Sequence, residues 1–326
     1  LDASGCYVLP LLIDLHIHGY AGADVGSAEP AELERMAARQ RSIMQKVHSA
    51  SEQTFGEAVA QAYRDLLKPD TSLKTDWKHF NDVLGGLQRG CLYIIAARPG
   101  DGKTDFALHL AVQLAKRCRV DYRSLEMTKE QLVHRVLSRV CMINSTRFRD
   151  HDLDENAQKR IGIAAARMGD LHLVMDDTPG VSAGDVEAKL ASGKPDVMFI
   201  DYLGLMRGDA AGNKPLWQIT GEITHALKES ARRHGAAVVA LVQLARAADR
   251  QKEPALSDLK GGSDIEADAD GVIFMRPQKT GEFLSGDDAW PVEAVIAKNR
   301  HGGVGRLRFN WQPQYHNYVP TDNTRR

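Results

Sequence analysis

The sequence is short of several features that would classify it at once. It has only four cysteines, Cys6, Cys91, Cys118 and Cys141, far apart and without a Cys-x-x-Cys spacing. That pattern supports neither a disulfide framework nor a structural zinc site, and reads as reduced thiols in a soluble cytoplasmic protein. Long apolar runs are lacking too. The one apolar stretch near the start, Cys6 to Ile17, carries Asp14 and has no basic flank, so it fits neither a signal peptide nor a membrane span. Net charge is almost absent, −1 at pH 7, so a nucleic-acid partner would have to be held by local basic surface and not by a global field. Internal repeats and low-complexity tracts are missing. What remains is an ordinary globular composition over 326 residues, enough for one large core with an appendage or two modest domains.

The most informative segment is Ala97-Arg98-Pro99-Gly100-Asp101-Gly102-Lys103-Thr104. It follows the apolar run Leu92 to Ala96 and opens a helical pattern, so it reads as strand, phosphate-cradling loop and helix. Backbone N–H groups of a small-residue loop and a helix N-terminus wrap phosphate oxygens, Lys103 adds a mobile cation, and Thr104 offers a hydroxyl to Mg²⁺. This points to a nucleoside triphosphatase. One departure is visible: the first glycine of the usual Gly-x-x-x-x-Gly-Lys-Thr pattern is Ala97 here.

Upstream, apolar Leu33, Met36, Ile43, Met44 and Val47 at helical spacing predict one amphipathic helix over residues 30 to 47. A second starts at Thr54, with Glu57 reaching back as a capping box, Phe55, Val59, Ala62, Tyr63 and Leu66 on one face, and Pro69 stopping it. Lys68 to Lys78 reads as a polar linker, with the compact domain starting near Phe80. From there strands and helices alternate: strands near 119–125, 171–175, 197–200, 236–242, 271–275 and 292–297, and helices over 104–116, after Thr128 with Gln131 as cap, and from Leu216 to Gly235. The alternation argues for a mostly parallel sheet covered on both faces.

In open α/β sheets ligands sit beyond the carboxyl ends of strands, where this sequence puts Lys103, Glu126, Asp201 and Gln243. Asp201, after four apolar residues, suits a carboxylate holding Mg²⁺; alone, it could equally cap a loop. Glu126 could polarise an attacking water, or be a solvated glutamate at a helix start. Gln243 could sense a γ-phosphate or make a structural amide hydrogen bond.

Ala97 to Thr104, Ser124-Leu-Glu-Met, Phe199-Ile-Asp-Tyr-Leu-Gly-Leu-Met, Val239-Ala-Leu-Val-Gln-Leu, Asp258 to Asp270 and Lys298-Asn-Arg-His-Gly resemble, in order, the motifs of DnaB-type replicative helicases. The resemblance covers about residues 50 to 318. It implies an α/β RecA-like P-loop domain with a C-terminal β-hairpin, preceded by a helical linker, which assembles as a homo-hexamer around single-stranded DNA and couples ATP hydrolysis to translocation. A primase or a helicase loader is the further partner it implies. By resemblance Glu126 is the catalytic glutamate, Asp201 the Walker B aspartate and Gln243 the sensor. Lys298 and Arg300 match the pair that reaches a neighbouring subunit's nucleotide; by spacing alone they would be surface charges on a hairpin. DNA contact maps to Lys260, Gly261 and Gly262, with Arg207, Arg246, Arg250 and Lys252 on nearby loops. Asp105, where the family generally has a small hydroxyl residue, is expected to lie near bound phosphate or to point to solvent.

Residues 5 to 40 resemble instead the first metal-binding strand of amidohydrolases, with His16 and His18 on one strand face. A (β/α)₈ barrel needs roughly 200 residues or more, so this reads as a fragment. The layout expected is an orphan segment 1–27, a helical linker region 28–79, the motor domain 80–318 and a tail 319–326. Two rivals to a helicase motor stay open: a RecA-like recombination or DNA-loading ATPase, and an inactive fused remnant.

Overall fold

The computed structural model describes residues 54–208, 215–244, 255–259, 262–278 and 289–321. The chain divides into a unit up to Asp70 and a larger compact unit from Thr71 onward. Within the first, helix α1 (Phe55–Leu66) begins as expected. Thr54 Oγ1 accepts from Glu57 N at 3.3 Å while Glu57 Oε2 accepts from Thr54 N at 2.9 Å. Phe55, Tyr63 and Leu66 on this helix are exposed. The helix predicted over 30–47 and the amidohydrolase-like segment lie outside the described residues.

The second unit starts at Thr71, earlier than the expected boundary near Phe80. Leu73 and Trp77 are buried in the core, and Leu73 exchanges backbone hydrogen bonds with Leu87, so the second half of the supposed polar linker belongs to the domain. Helix α2 (Lys78–Leu84) leads to β1 (Leu92–Ala97), then α3 (Lys103–Leu114), β2 (Val120–Ser124), α4 (Lys129–Cys141), α5 (Ser145–Arg149), α6 (Glu155–Met168), β3 (Leu173–Asp176), α7 (Ala183–Gly193), β4 (Val197–Asp201), α8 (Leu216–His234) and β5 (Ala237–Gln243). Helix α9 (Gly262–Asp268) precedes β6 (Gly271–Pro277), β7 (Trp290–Asn299), β8 (Gly305–Gln312) and β9 (Asn317–Pro320).

The nine strands of the described residues form one sheet in the order β3-β2-β4-β5-β1-β6-β7-β8-β9. Pairing is parallel from β3 through β6 and antiparallel from β6 to β9, so the expected hairpin is the start of a longer antiparallel extension. β1 is buried on both faces, and its alternation separates two cores. Tyr93, Ile95 and Ala97 face α3 and the aromatic group Trp77, Phe80, Phe106, Phe309 and Tyr318. Leu92, Ile94 and Ala96 face Leu190, Leu227 and Ile265 from α7, α8 and α9. Full burial on both faces is what the continuous apolar runs of β1, β4 and β5 require. No described helix is long and apolar enough to cross a membrane.

Candidate functional site

The central strand β1 delivers the loop to the carboxyl edge of the sheet, between β5 and β6. Ala97 is buried and paired with Gln243, still within the strand, which explains why alanine serves where the usual pattern has glycine. Glycine is required further on. Gly100 and Gly102 have φ of +79° and +80°, and a Cβ on Gly102 would run into the Tyr318 hydroxyl and the Trp311 ring. Tyr318 on β9 donates to the Gly102 carbonyl at 3.2 Å, so the antiparallel extension props the loop from below. Nothing in the local sequence announces this support.

Arg98, Pro99, Gly100, Gly102, Lys103, Thr104, Glu126 and Gln243 line one cleft of about 180 Å³, joined by Met127 and Arg135. Asp101 is buried within the loop. Lys103 Nζ lies 3.5 Å from Asp201 Oδ1; both side chains are buried, and neither atom has a hydrogen-bond partner among the described residues. The ammonium also lies 4.4 Å from the centre of the Tyr202 ring. Burial holds the Lys103 amine below its ordinary range, with the charges of Asp201 and Glu126 acting the other way. Asp201 is fixed at the end of β4 by the Tyr122 hydroxyl, which donates to its Oδ2 at 3.0 Å. Glu126 is exposed in the connection ahead of the Thr128–Gln131 capping box, which starts α4 just beyond it. Two unsatisfied buried atoms of opposite charge, a glycine loop and a helix N-terminus fit a magnesium-bound polyphosphate.

Asp105 neither faces the cleft nor points to solvent, contrary to the sequence expectation. It is buried, its Oδ1 accepting from Arg135 Nη1 at 2.7 Å and its Oδ2 lying 3.2 Å from Trp311 Nε1 and 3.1 Å from His316 Nδ1. Burial alone would raise its pKa, but the His316 contact and the Arg135 charge outweigh that and hold the carboxyl below the usual range. Met127 and Arg135 are the cleft residues that sequence reasoning missed; Arg135 lies in the middle of α4 and reaches the cleft through the packing of that helix against α3, which no local motif signals.

Lys298 and Arg300 do not join this cleft. Lys298 Nζ donates to the Glu266 carbonyl, and Arg300 Nη2 to the Ala267 carbonyl at 2.8 Å, with Nη1 3.5 Å from Asp270 Oδ1. Both cations thus rest on the C-terminal end of α9 in their own chain. Burial, then the neighbouring Arg300 charge, holds the Lys298 amine below its ordinary range. Of the DNA candidates, Gly262 opens α9, and Arg207 forms a bridge to Ser182 beside a separate cleft with Arg123 and Asp176. Lys260, Gly261, Arg246, Arg250 and Lys252 lie outside the described residues.

A loop between β1 and α3 wrapped around a lysine, with carboxylates at the ends of β2 and β4, defines a P-loop nucleotide-binding domain of the RecA-like type. Residues 72–320 match the DnaB-like helicase C terminal domain family, and residues 23–116 the divergent DnaB-like ATPase family. The chain belongs to the DnaB-like helicase C-terminal domain family. It is 31% identical over 291 residues to the replicative DNA helicase DnaC of Bacillus subtilis (strain 168), covering 85% of this chain and 64% of that protein. Against the replicative DNA helicase DnaB of Geobacillus stearothermophilus the identity is 31% over 293 residues, with the same coverage. The chain therefore spans just under two thirds of these relatives' length. Among solved structures, one ATPase domain superposes with a TM-score of 0.74 at 26% identity, covering 82% of this chain and 99% of that one. A DnaB-like replicative helicase described with its primase interactions gives a TM-score of 0.73 at 26% identity, covering 89% and 74%. These matches carry the helicase resemblance; none supports the amidohydrolase resemblance of residues 5–40, the last part of which falls within the divergent DnaB-like match.

Proposed function

We propose that the chain is the motor of a ring-forming replicative DNA helicase, hydrolysing ATP at subunit interfaces to drive translocation on single-stranded DNA in the cytoplasm. The observation that carries the reading is the buried, unsatisfied pair of Lys103 Nζ and Asp201 Oδ1 at 3.5 Å, of which Lys103 lines a cleft shared with Glu126 and Gln243. Lys103 and the loop N–H groups would take the phosphates, while Thr104 and Asp201 would hold Mg²⁺, whose contribution is to neutralise phosphate charge. Glu126 would orient and deprotonate the attacking water. Gln243, at the end of β5, would report the γ-phosphate to the chain that follows. The absence of Lys298 and Arg300 from their own chain's cleft favours action on a neighbour's nucleotide, which makes hydrolysis depend on assembly. The exposed apolar face of α1 suits docking on a second copy. Lys260, Gly261, Gly262, Arg207, Arg246 and Arg250 are the proposed DNA contacts, and a primase or loader the proposed further partner. The test is ATP hydrolysis with and without single-stranded DNA, together with strand displacement. Lys103→Ala should abolish nucleotide binding and both activities. Unchanged hydrolysis in that variant overturns the site, and DNA-stimulated hydrolysis without strand displacement favours a DNA-loading ATPase.

A further inference from the structure

Three side chains from distant parts of the sequence converge behind the Arg300 turn. Cys91 immediately precedes β1, Asp270 immediately precedes β6 and His301 follows β7. Sheet register brings them together: Tyr93 pairs with Gly271, and Gly271 with Asn299. The thiol sulfur, a carboxylate oxygen and an imidazole nitrogen all lie within 4.8 Å of one another, with Cys91 Sγ 3.3 Å from His301 Nε2. Cys91 and Asp270 are buried and His301 is exposed, so two donors form a fixed floor and the third opens to solvent.

The carboxylate divides its work between its two oxygens. Oδ2 accepts from the Leu92 amide at 2.8 Å and from the Lys228 ammonium. Oδ1 faces Arg300 Nη1 at 3.5 Å, an electrostatic contact longer than a good hydrogen bond.

We propose that Cys91, Asp270 and His301 bind one divalent cation of the zinc class, with a fourth position left to water. Sulfur, imidazole nitrogen and carboxylate oxygen are the mixed donors that favour Zn²⁺ or Co²⁺ over Mg²⁺ or Ca²⁺. Bonds of about 2.0–2.3 Å in a tetrahedron place neighbouring donors roughly 3.5 Å apart, close to the sulfur–nitrogen separation found. On binding, the Cys91 S–H bond breaks, its proton leaves to water, and the sulfur–metal bond forms. Oδ1 turns from Arg300 to the ion, while Lys228 keeps Oδ2. The spacing rule that excluded a zinc site from the sequence looks for ligands clustered along the chain, whereas these are assembled by strand register. An ion here repels the Arg300 guanidinium and loosens it from its own α9. That consequence rests on the role proposed for Arg300 above; the metal site itself does not.

Co²⁺ titration of the full chain under reducing conditions, followed by absorption, tests the site without reference to hydrolysis. The expected result is a thiolate-to-cobalt charge-transfer band with tetrahedral d–d bands, saturating at about one ion per chain, displaced by Zn²⁺ and indifferent to Mg²⁺. Cys91→Ser should remove the charge-transfer band. His301→Ala, at an exposed position that leaves the core intact, should weaken binding about tenfold or more. No charge-transfer band in the folded wild-type chain, or a band of equal strength and affinity in His301→Ala, overturns the proposal. Should Cys91→Ser fail to fold, the His301→Ala titration decides alone. Loss of ATP hydrolysis with the cobalt spectrum intact would count against the motor reading and leave the metal site standing.

Discussion

Asp105 Oδ1 accepts a hydrogen bond from Arg135 Nη1 at 2.7 Å, joining the first turn of the loop helix α3 to an arginine that lines the candidate cleft. The same carboxylate meets Trp311 and His316 through its other oxygen, so it ties the cleft to the antiparallel extension. Removing its charge leaves Arg135, which is partly exposed at the cleft, without its counter-ion, and sets an amide against three donors at the buried Asp105 position. Asp105→Asn is expected to lower stability by about 1–3 kcal/mol, since the buried donors around it lose a charged acceptor while Arg135 can still be solvated from the cleft. It should also weaken ATP binding about tenfold, by letting Arg135 move. Urea unfolding and calorimetric ATP titration measure the two effects. A variant unchanged in both would show that this link is incidental.

Glu126 sits at the mouth of the same cleft, exposed and near enough to Lys103 to influence its charge. Glu126→Gln preserves shape and removes basicity, so nucleotide affinity should hold within about threefold while turnover drops by about 10²–10⁴. Near-normal turnover in single-cycle hydrolysis would assign water activation to a different group.

His109 on α3 lies edge-on to Trp77, with ring centres 4.7 Å apart. Burial, then the charges of Arg139 and Lys116, pushes its pKa well below 6.5. As pH falls below about 6.5 the unfolded chain therefore takes up a proton that the native chain refuses, and stability declines until the pH reaches the lowered native value. His109→Leu should make the fall in unfolding free energy between pH 6.5 and 5 shallower by up to about one proton's worth of slope. Identical slopes in a urea-unfolding pH series would place the acid sensitivity elsewhere.

What was legible in the sequence is what local chemistry writes. The Gly-Asp-Gly-Lys-Thr loop, Asp201 after its apolar strand, and the Thr54–Glu57 and Thr128–Gln131 caps depend on residues within a few positions of each other. Helix α6 escaped notice because its buried stripe is only Ala157 and Ala164, too small to raise an apolar period. The alternation Leu307, Phe309, Trp311 on β8 went unread, although it marks the extension that carries Tyr318 under the loop. The partners of Asp105 were beyond reach, because Arg135, Trp311 and His316 come from three separated elements joined only by packing. The true start of the compact unit was hidden likewise, since Leu73 and Trp77 are isolated apolar residues in a polar stretch.

Arg300 is held at the end of its own α9 by the Ala267 carbonyl and the Asp270 carboxylate, away from its own cleft. If it serves a neighbour, each complete site combines Glu126 from one subunit with Arg300 from the next. Rings of Arg300→Ala chains lack the second group everywhere, and rings of Glu126→Gln chains lack the first. Mixing the two creates interfaces where an intact Glu126 meets an intact Arg300, so hydrolysis should rise above both parents. At equal proportions about a quarter of interfaces are complete by random assembly, provided exchange is allowed before assay. Steady-state ATP hydrolysis across a series of mixing ratios measures this. A bell-shaped dependence on ratio fits action in trans, and a flat line at the parental rates places Arg300 in its own subunit's chemistry or outside catalysis altogether.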